Sequence, residues 1–144
     1  MGQVVTYVPK ITANEMLNKR RKIMAHGSKA IPRPEYPRPQ FERADWVNLN
    51  GPWSYCFDFG KSGMDRRLFE SRGFDERIIV PFCPESELSG VGHKDFIEAM
   101  WYHRKIAIPK AWAGRNVSIN FGGVDYECEL FVDGKPVGIH FGGT

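Results

Sequence analysis

Hydrophobic and polar residues alternate along much of the chain after residue 41, with the period of two that is typical of β-strands. In the first such segment, aromatic side chains at every second position share one face: Trp53, Tyr55, Phe57 and Phe59. The dipeptide Asn50-Gly51 just before them is a turn signal. This segment is therefore predicted to be a strand with one buried aromatic face.

The same period predicts three further strands and a hairpin. The strands cover residues 77–82, 101–108 and 116–121. The hairpin runs from Tyr126 to Phe141 around Asp133-Gly134, a dipeptide that supplies the positive φ angles of a two-residue turn. Many short strands with glycine and proline turns, and no helix between them, predict an all-β fold, an antiparallel β-sandwich or jelly roll.

The first 36 residues follow a different pattern. Thr12 to Glu15 fit a capping box, and the helix-forming residues that follow end at Gly27, which predicts one short helix. Alternate prolines from Pro32 to Pro39 predict an extended arm. We therefore expect residues 1–36 to be an N-terminal extension and residues 37–144 to form the β-domain.

The composition of the chain argues against some classes of function. The chain has 144 residues, 42% of them hydrophobic, which is enough for one domain with a sizeable core. Twenty Lys and Arg against 17 Asp and Glu give a net charge of +3. This excess is too small to require nucleic acid or an anionic membrane, and we expect neither as a partner.

The first residues lack a secretory leader, and no stretch approaches membrane-spanning length, so a cytoplasmic location is expected. Cys56, Cys83 and Cys128 are an odd number without a C-x-x-C spacing, and we interpret them as reduced, mostly buried thiols. The four histidines show no H-x-x-x-H spacing. We expect neither a metal nor a cofactor.

Three stretches carry a more specific signal in their order along the chain. The first runs from Pro37 to Tyr55 and contains Leu49-Asn50-Gly51-Pro52-Trp53. The second joins Ile79-Val80-Pro81 to Trp101-Tyr102-His103-Arg104 and Ile108-Pro109. The third runs from Phe121-Gly122-Gly123 through Val132-Asp133-Gly134 to Gly142-Gly143-Thr144. This co-linear set resembles the first domain of family 2 glycoside hydrolases, the β-galactosidase and β-glucuronidase family, although His103 stands where that family usually has Arg.

The resemblance implies a galactose-binding-domain-like jelly roll, which we expect to be truncated before its last strands. In the family, an immunoglobulin-like domain follows, and then a TIM barrel whose two glutamates hydrolyse β-glycosides with retention. We therefore expect a non-catalytic sugar-binding or scaffold domain, inactive alone, of a parent glycosidase. The alternatives are a free-standing carbohydrate-binding module and a structural interaction domain. Expected partners are carbohydrate, the parent's other domains and further copies in a homo-oligomer.

Four residues are candidates for contact with carbohydrate. Glu85 and Glu87 lie in the polar loop 82–95, whose counterpart in the family approaches the sugar pocket of the barrel. Carboxylates accept hydrogen bonds from sugar hydroxyls, although surface loop charges are the plainer interpretation. Trp112, in a turn, is a candidate stacking platform, and His140 is placed to reach a neighbouring domain.

No residue of this chain is predicted to be catalytic. Glu127 and Glu129 alternate with Cys128 and Leu130. They are therefore predicted to lie together on the solvated face of a strand rather than around a glycosidic bond.

Overall fold

The structure is a computed structural model that describes residues 3–7 and 30–142. Its strands are β1 Gln3–Tyr7, β2 Gly51–Phe57, β3 Glu76–Val80, β4 Met100–Lys105, β5 Glu127–Val132 and β6 Lys135–Phe141. Short 3-10 helices cover Pro39–Phe41, Leu68–Glu70, Glu87–Ser89 and Lys110–Trp112. The helix predicted between Thr12 and Gly27 lies outside the described residues.

The six strands form one mixed sheet in the order β3-β2-β4-β1-β5-β6. Strand β2 is antiparallel to β3 and β4, and β5 and β6 form an antiparallel hairpin. The backbone of β1 lies between β4 and β5 and is parallel to both. The mostly β fold confirms the predicted class, whereas the two-sheet jelly roll stays a prediction.

One side of the sheet, the Trp53 face, holds the larger apolar cluster. Trp53 and Tyr55 of β2 are 6% and 5% exposed, which confirms the predicted aromatic face of this strand. Trp53 pairs directly with the fully buried Ile78 of β3. Met100 and Cys128 complete the cluster from β4 and β5. Burial of these side chains holds four strands of the sheet together.

The opposite side, the Trp101 face, is built around two fully buried rings. Trp101 of β4 and Phe131 of β5 have centroids 6.0 Å apart, and Phe69 stacks on Phe131 at 5.1 Å. Phe69 and Leu68 belong to the segment 58–75 between β2 and β3, and both pack on this part of the face. The long connection after β2 therefore provides the second layer on this side.

A buried carboxylate fixes that covering segment. Asp58, 3% exposed, accepts hydrogen bonds from the Trp101 indole N–H at 3.0 Å and from the Gly63 amide at 2.7 Å through Oδ2. Its Oδ1 accepts from the Ser62 amide at 3.0 Å and from Arg66 Nη2 at 3.2 Å. Burial would raise the pKa of Asp58, but these hydrogen bonds and the Arg66 charge hold it below its ordinary value.

The strand predicted at 116–121 is wrong, because the structure has no strand there. Val117 and Phe121 are 44% and 42% exposed. Alternating residues form a strand only where a neighbouring strand accepts their backbone hydrogen bonds, and none of the described pairings includes this segment.

The predicted hairpin around Asp133-Gly134 is confirmed, and both turn residues have positive φ angles, 50° and 74°. Its apolar side chains on β6 are not buried: Val137, Ile139 and Phe141 are 56% to 64% exposed. A register shift lies between Leu130 and Phe131. The local period therefore predicts the two strands and their turn but not which side of β6 is covered.

Of the three cysteines, only Cys128 is buried, whereas Cys56 is half-buried and Cys83 is exposed; none forms a disulfide. The prediction of mostly buried thiols is therefore wrong for Cys83. That residue lies three positions after the end of β3, at an exposed point of the loop that follows.

Candidate functional site

The loop between β3 and β4, residues 81–99, covers part of the Trp53 face. Val91 and Ile97 pack against the apolar cluster there. The Ser86 hydroxyl accepts from the Leu88 amide at 3.2 Å and so caps the short helix Glu87–Ser89. The His93 amide donates to the Pro84 carbonyl at 2.9 Å. These contacts give a long polar loop a defined shape.

Glu85 and Glu87 are both exposed on this loop. Burial raises the pKa of the Tyr102 phenol on β4, and the charge of Glu85 raises it further. Leu88 and Phe96 of the same loop are 68% and 85% exposed. We call these four exposed residues the loop surface. It combines carboxylate acceptors with apolar side chains, a mixture that suits the hydroxyl groups and C–H faces of a sugar.

An imidazole lies between the loop and the end of β2. The His93 ring is 4.7 Å from the Phe57 ring and 6.1 Å from the Phe59 ring, centroid to centroid. Phe59 is 55% exposed, so the predicted aromatic face of this strand becomes open to solvent at its end. His93 Nε2 is buried without a hydrogen-bond partner among the described residues. These aromatic contacts anchor the loop beside β2.

Trp112 belongs to a different part of the molecule. It lies half-buried in the short helix Lys110–Trp112. Nearby, Asp45 accepts from Arg115 Nη1 at 2.6 Å. Arg115 lowers the pKa of Asp45 most, and Trp112 lowers it least. The Asp45–Arg115 ion pair thus fastens the segment before β2 to the segment after β4 that contains Trp112.

His140 is exposed on β6, opposite Cys128 of β5. Strand β6 ends the sheet on the side away from β3, where the loop surface begins. Of the four predicted sugar contacts, Glu85 and Glu87 share one loop, whereas His140 lies on the opposite edge strand of the sheet and Trp112 in the segment after β4.

Glu127 and Glu129 lie on β5 opposite Phe141 and Ile139. Both carboxylate side chains are half-buried, and the next residue on their side of the strand, Phe131, is 1% exposed. The two glutamates lie on one face opposite Cys128 and Leu130, as predicted, but that face is only partly open to solvent and becomes fully buried at Phe131.

A second site that the sequence did not indicate is an open groove of about 470 Å³ on the Trp101 face. We call it the basic groove. Its lining from this face includes a hydroxyl, an imidazole and three cationic side chains: Ser54, His103, Arg72, Arg77 and Lys105. Trp53 and Arg104 border the groove, but their side chains project to the Trp53 face. The cations come from the loop after residue 70, from β3 and from β4, so only the folded sheet brings them together.

The register of the strands explains the groove. Ser54 of β2 pairs with Arg77 of β3 on one side and with His103 of β4 on the other. The pKa of the buried His103 imidazole is lowered by burial and, next, by the charges of Lys105 and Arg77. The groove therefore has a positive potential and a neutral imidazole at its base.

No protein-family model matches the chain. Over 96 residues the chain is 30% identical to a β-glucuronidase of Streptococcus agalactiae serotype V. The chain is similar to part of a glycoside hydrolase. The matched region is 67% of this chain and spans 15% of the length of that enzyme.

Within residues 3–7 and 30–142, no group of three or more His, Cys, Asp and Glu side chains is placed to hold a metal ion. In the same part of the chain, no helix is long and apolar enough to cross a membrane.

Proposed function

We propose that this chain is the non-catalytic N-terminal sugar-binding and scaffold domain of a retaining β-glycosidase of family 2, of the β-glucuronidase or β-galactosidase type. The observation that carries this proposal is the similarity to a β-glucuronidase over 96 residues, 15% of that enzyme's length. The parent protein would hydrolyse O-glycosidic bonds in carbohydrates.

The positions of the motifs in the fold support the proposal. Leu49-Asn50-Gly51 leads into β2, and Val80-Pro81 ends β3. Trp101-Tyr102-His103-Arg104 forms most of β4, and Asp133-Gly134 is the turn of the β5–β6 hairpin. Each of these four motifs therefore has a structural role, since it starts, ends or fills a strand or forms the turn of the hairpin. In the proposed jelly roll this sheet would be one of two layers.

In the proposed parent protein, catalysis and sugar binding are assigned to different domains. Hydrolysis with retention needs two carboxyl groups about 5–5.5 Å apart on either side of the scissile bond. In this proposal the barrel of the parent supplies them. The loop surface is the part of this domain that would approach the sugar, with Glu85 and Glu87 accepting hydrogen bonds from hydroxyl groups. Phe96, 85% exposed, would pack against the sugar ring or the neighbouring domain.

The first test is hydrolysis of aryl β-glucuronides and β-galactosides by the purified chain, for which we expect no turnover. Turnover that disappears when a carboxylate of this chain is changed would overturn the assignment of a non-catalytic domain. The second test is calorimetry with the same glycosides. We expect Glu85→Gln with Glu87→Gln to weaken any binding, whereas Glu42→Gln, an exposed glutamate outside the loop, leaves it unchanged.

A specific observation also favours an interaction role through β6. This strand is at the edge of the sheet, and Val137, Ile139 and Phe141 are exposed along it. An edge strand with apolar side chains is able to pair with another chain, and we propose a second copy of this chain as that partner. Sedimentation should show a dimer that Ile139→Lys converts to a monomer. A monomer at high concentration before any substitution would refute this.

A further inference from the structure

We propose that the basic groove on the Trp101 face is a binding site for an oxyanion, and specifically for the carboxylate of a hexuronic acid. The choice of a sugar acid rests on the proposed function, whereas the preference for an oxyanion rests on the groove alone. The site is separate from the loop surface, since it lies on the other side of the sheet.

The charge of the groove is not neutralised from within. The four ion pairs in the described residues use Arg33, Arg66, Arg67 and Arg115, none of which lines the groove. Its own cations, Arg72, Arg77 and Lys105, share about 470 Å³ without a carboxylate in the lining. A volume of this size suits a single sugar ring. The positive potential that this lining creates would attract an anionic ligand.

One of these arginines is held in place by the backbone. Arg77 donates through Nη1 to the carbonyls of Phe74 and Glu76 at 2.5 and 3.0 Å. Its Nε and Nη2 make no hydrogen bond among the described residues. An anchored guanidinium group loses less freedom on binding a carboxylate, and its planar fork matches the two oxygens. Arg104 is anchored on the Trp53 face instead, where Nη1 donates to the Leu49 carbonyl at 2.7 Å and the guanidinium lies 5.8 Å from the centre of the Trp53 ring.

The base of the groove is also rigid. The Ser54 hydroxyl donates to the His103 carbonyl at 3.2 Å and accepts from the Phe74 amide at 3.1 Å. Gly73 comes close to this base, since a Cβ at that position would lie 3.6 Å from Ser54 Oγ and from His103 Nδ1. A fixed base beneath the anchored Arg77 favours one ligand pose.

His103 provides a reporter inside the site. Burial lowers the pKa of its imidazole, and the cations of Lys105 on its own strand and Arg77 on β3 lower it further. Arg72 lines the groove from the loop, and the Phe74 ring lies 6.4 Å from the imidazole. A bound carboxylate would offset the cationic charges, so the His103 pKa should rise when the groove is occupied.

The experiment is calorimetric titration of the full chain with glucuronate, glucose and sulfate at low salt. We expect glucuronate to bind, glucose to bind at least about tenfold more weakly, and Arg72→Gln or Lys105→Gln each to weaken glucuronate about fivefold or more. Both side chains are exposed, so their replacement should leave the fold intact. Matched controls are Arg43→Gln and Lys135→Gln, exposed cations outside the groove, which should leave binding unchanged.

A second readout is the pH titration of the His103 ring by NMR, which should shift to higher pH with saturating glucuronate. Absence of glucuronate binding, or binding that the control variants weaken as much as the groove variants, would overturn the site. Sulfate binding as strong as glucuronate would assign the groove to inorganic anions and overturn the sugar acid. None of these results bears on the glycosidase assignment, which the hydrolysis test decides.

Discussion

Replacement of Asp58 by Asn tests how the segment 58–75 is held on the sheet. The side chain keeps its size, but one acceptor oxygen becomes an NH2 group. In the structure Oδ2 accepts from the Gly63 amide and the Trp101 indole, and Oδ1 accepts from the Ser62 amide, the Ser62 hydroxyl and Arg66. An asparagine oxygen is able to accept from only one of these two sets of donors.

Burial decides which orientation of the asparagine amide costs less free energy. Trp101 is fully buried, so an NH2 group facing its indole and the Gly63 amide would leave two buried donors without acceptors. If the NH2 group faces Arg66 instead, that exposed guanidinium turns to water and the Ser62 hydroxyl rotates to accept from the NH2 group. Only the Ser62 amide then loses its acceptor. One unsatisfied donor costs about 1–3 kcal/mol, and loss of the charge from the remaining hydrogen bonds adds to this. We therefore expect Asp58→Asn to lower the free energy of unfolding by roughly 2–4 kcal/mol at pH 7.

Urea denaturation followed by tryptophan fluorescence measures this loss. With an m-value of about 1–3 kcal/mol/M, the midpoint should fall by roughly 1 M or more. Asp45→Asn is the matched control, because Asp45 makes an exposed ion pair with Arg115 and its loss should matter far less. An unchanged midpoint for Asp58→Asn would refute the role of the buried carboxylate.

The pH dependence gives an independent check. Since the pKa of Asp58 is lower in the folded protein, its contribution is present above the unfolded value of about 3.9 and is lost as the pH falls through the folded value. The stability difference between wild type and Asp58→Asn should therefore narrow below about pH 4. A difference that stays constant down to the acid transition would contradict the pKa shift.

Three further variants test other parts of the packing. Gly63→Ala places a Cβ within 3.0 Å of neighbouring side chains and should lower stability by about 1–3 kcal/mol or more, whereas Gly60→Ala, with open space around it, should be nearly neutral in thermal unfolding. Phe131→Ala removes a fully buried ring and should cost about 3–5 kcal/mol, against little change for the exposed Phe141→Ala; equal urea midpoints would contradict this. Because the pKa of His103 is lowered in the folded state, wild-type stability should fall as the pH drops below about 6.5, and His103→Gln should lose that part of the slope.

Local sequence signals predict the parts of this fold that depend on neighbouring residues. Asp133-Gly134 adopts the two positive φ angles of its turn, and the aromatic residues Trp53 and Tyr55 bury one side of β2. The segment 116–121 has an equally clear alternation and forms no strand. Whether a strand forms there depends on a pairing partner, which a period of two does not reveal.

The two candidate sites also differ in how far the sequence alone predicts them. Glu85 and Glu87 are recognisable in the sequence because they share one polar loop, and the structure keeps them on it. The basic groove depends on Arg72, Arg77 and Lys105, which are up to 33 positions apart in the chain and meet only through the register of β3, β2 and β4. The role of Asp58 is equally non-local, since its indole donor is 43 residues away.

The two covering segments decide where a ligand is able to approach the sheet. Loop 81–99 packs on the Trp53 face and displays Glu85 and Phe96 outward, so contact on that side is made by the loop and not by the strands. On the Trp101 face, the segment 58–75 covers Trp101 but leaves His103, two residues further along β4, at the base of a groove lined by cations. Loss of Asp58 should therefore loosen that covering segment and disturb the basic groove before it affects the loop surface. In the Asp58 variant, binding at the basic groove should therefore be lost before binding at the loop surface.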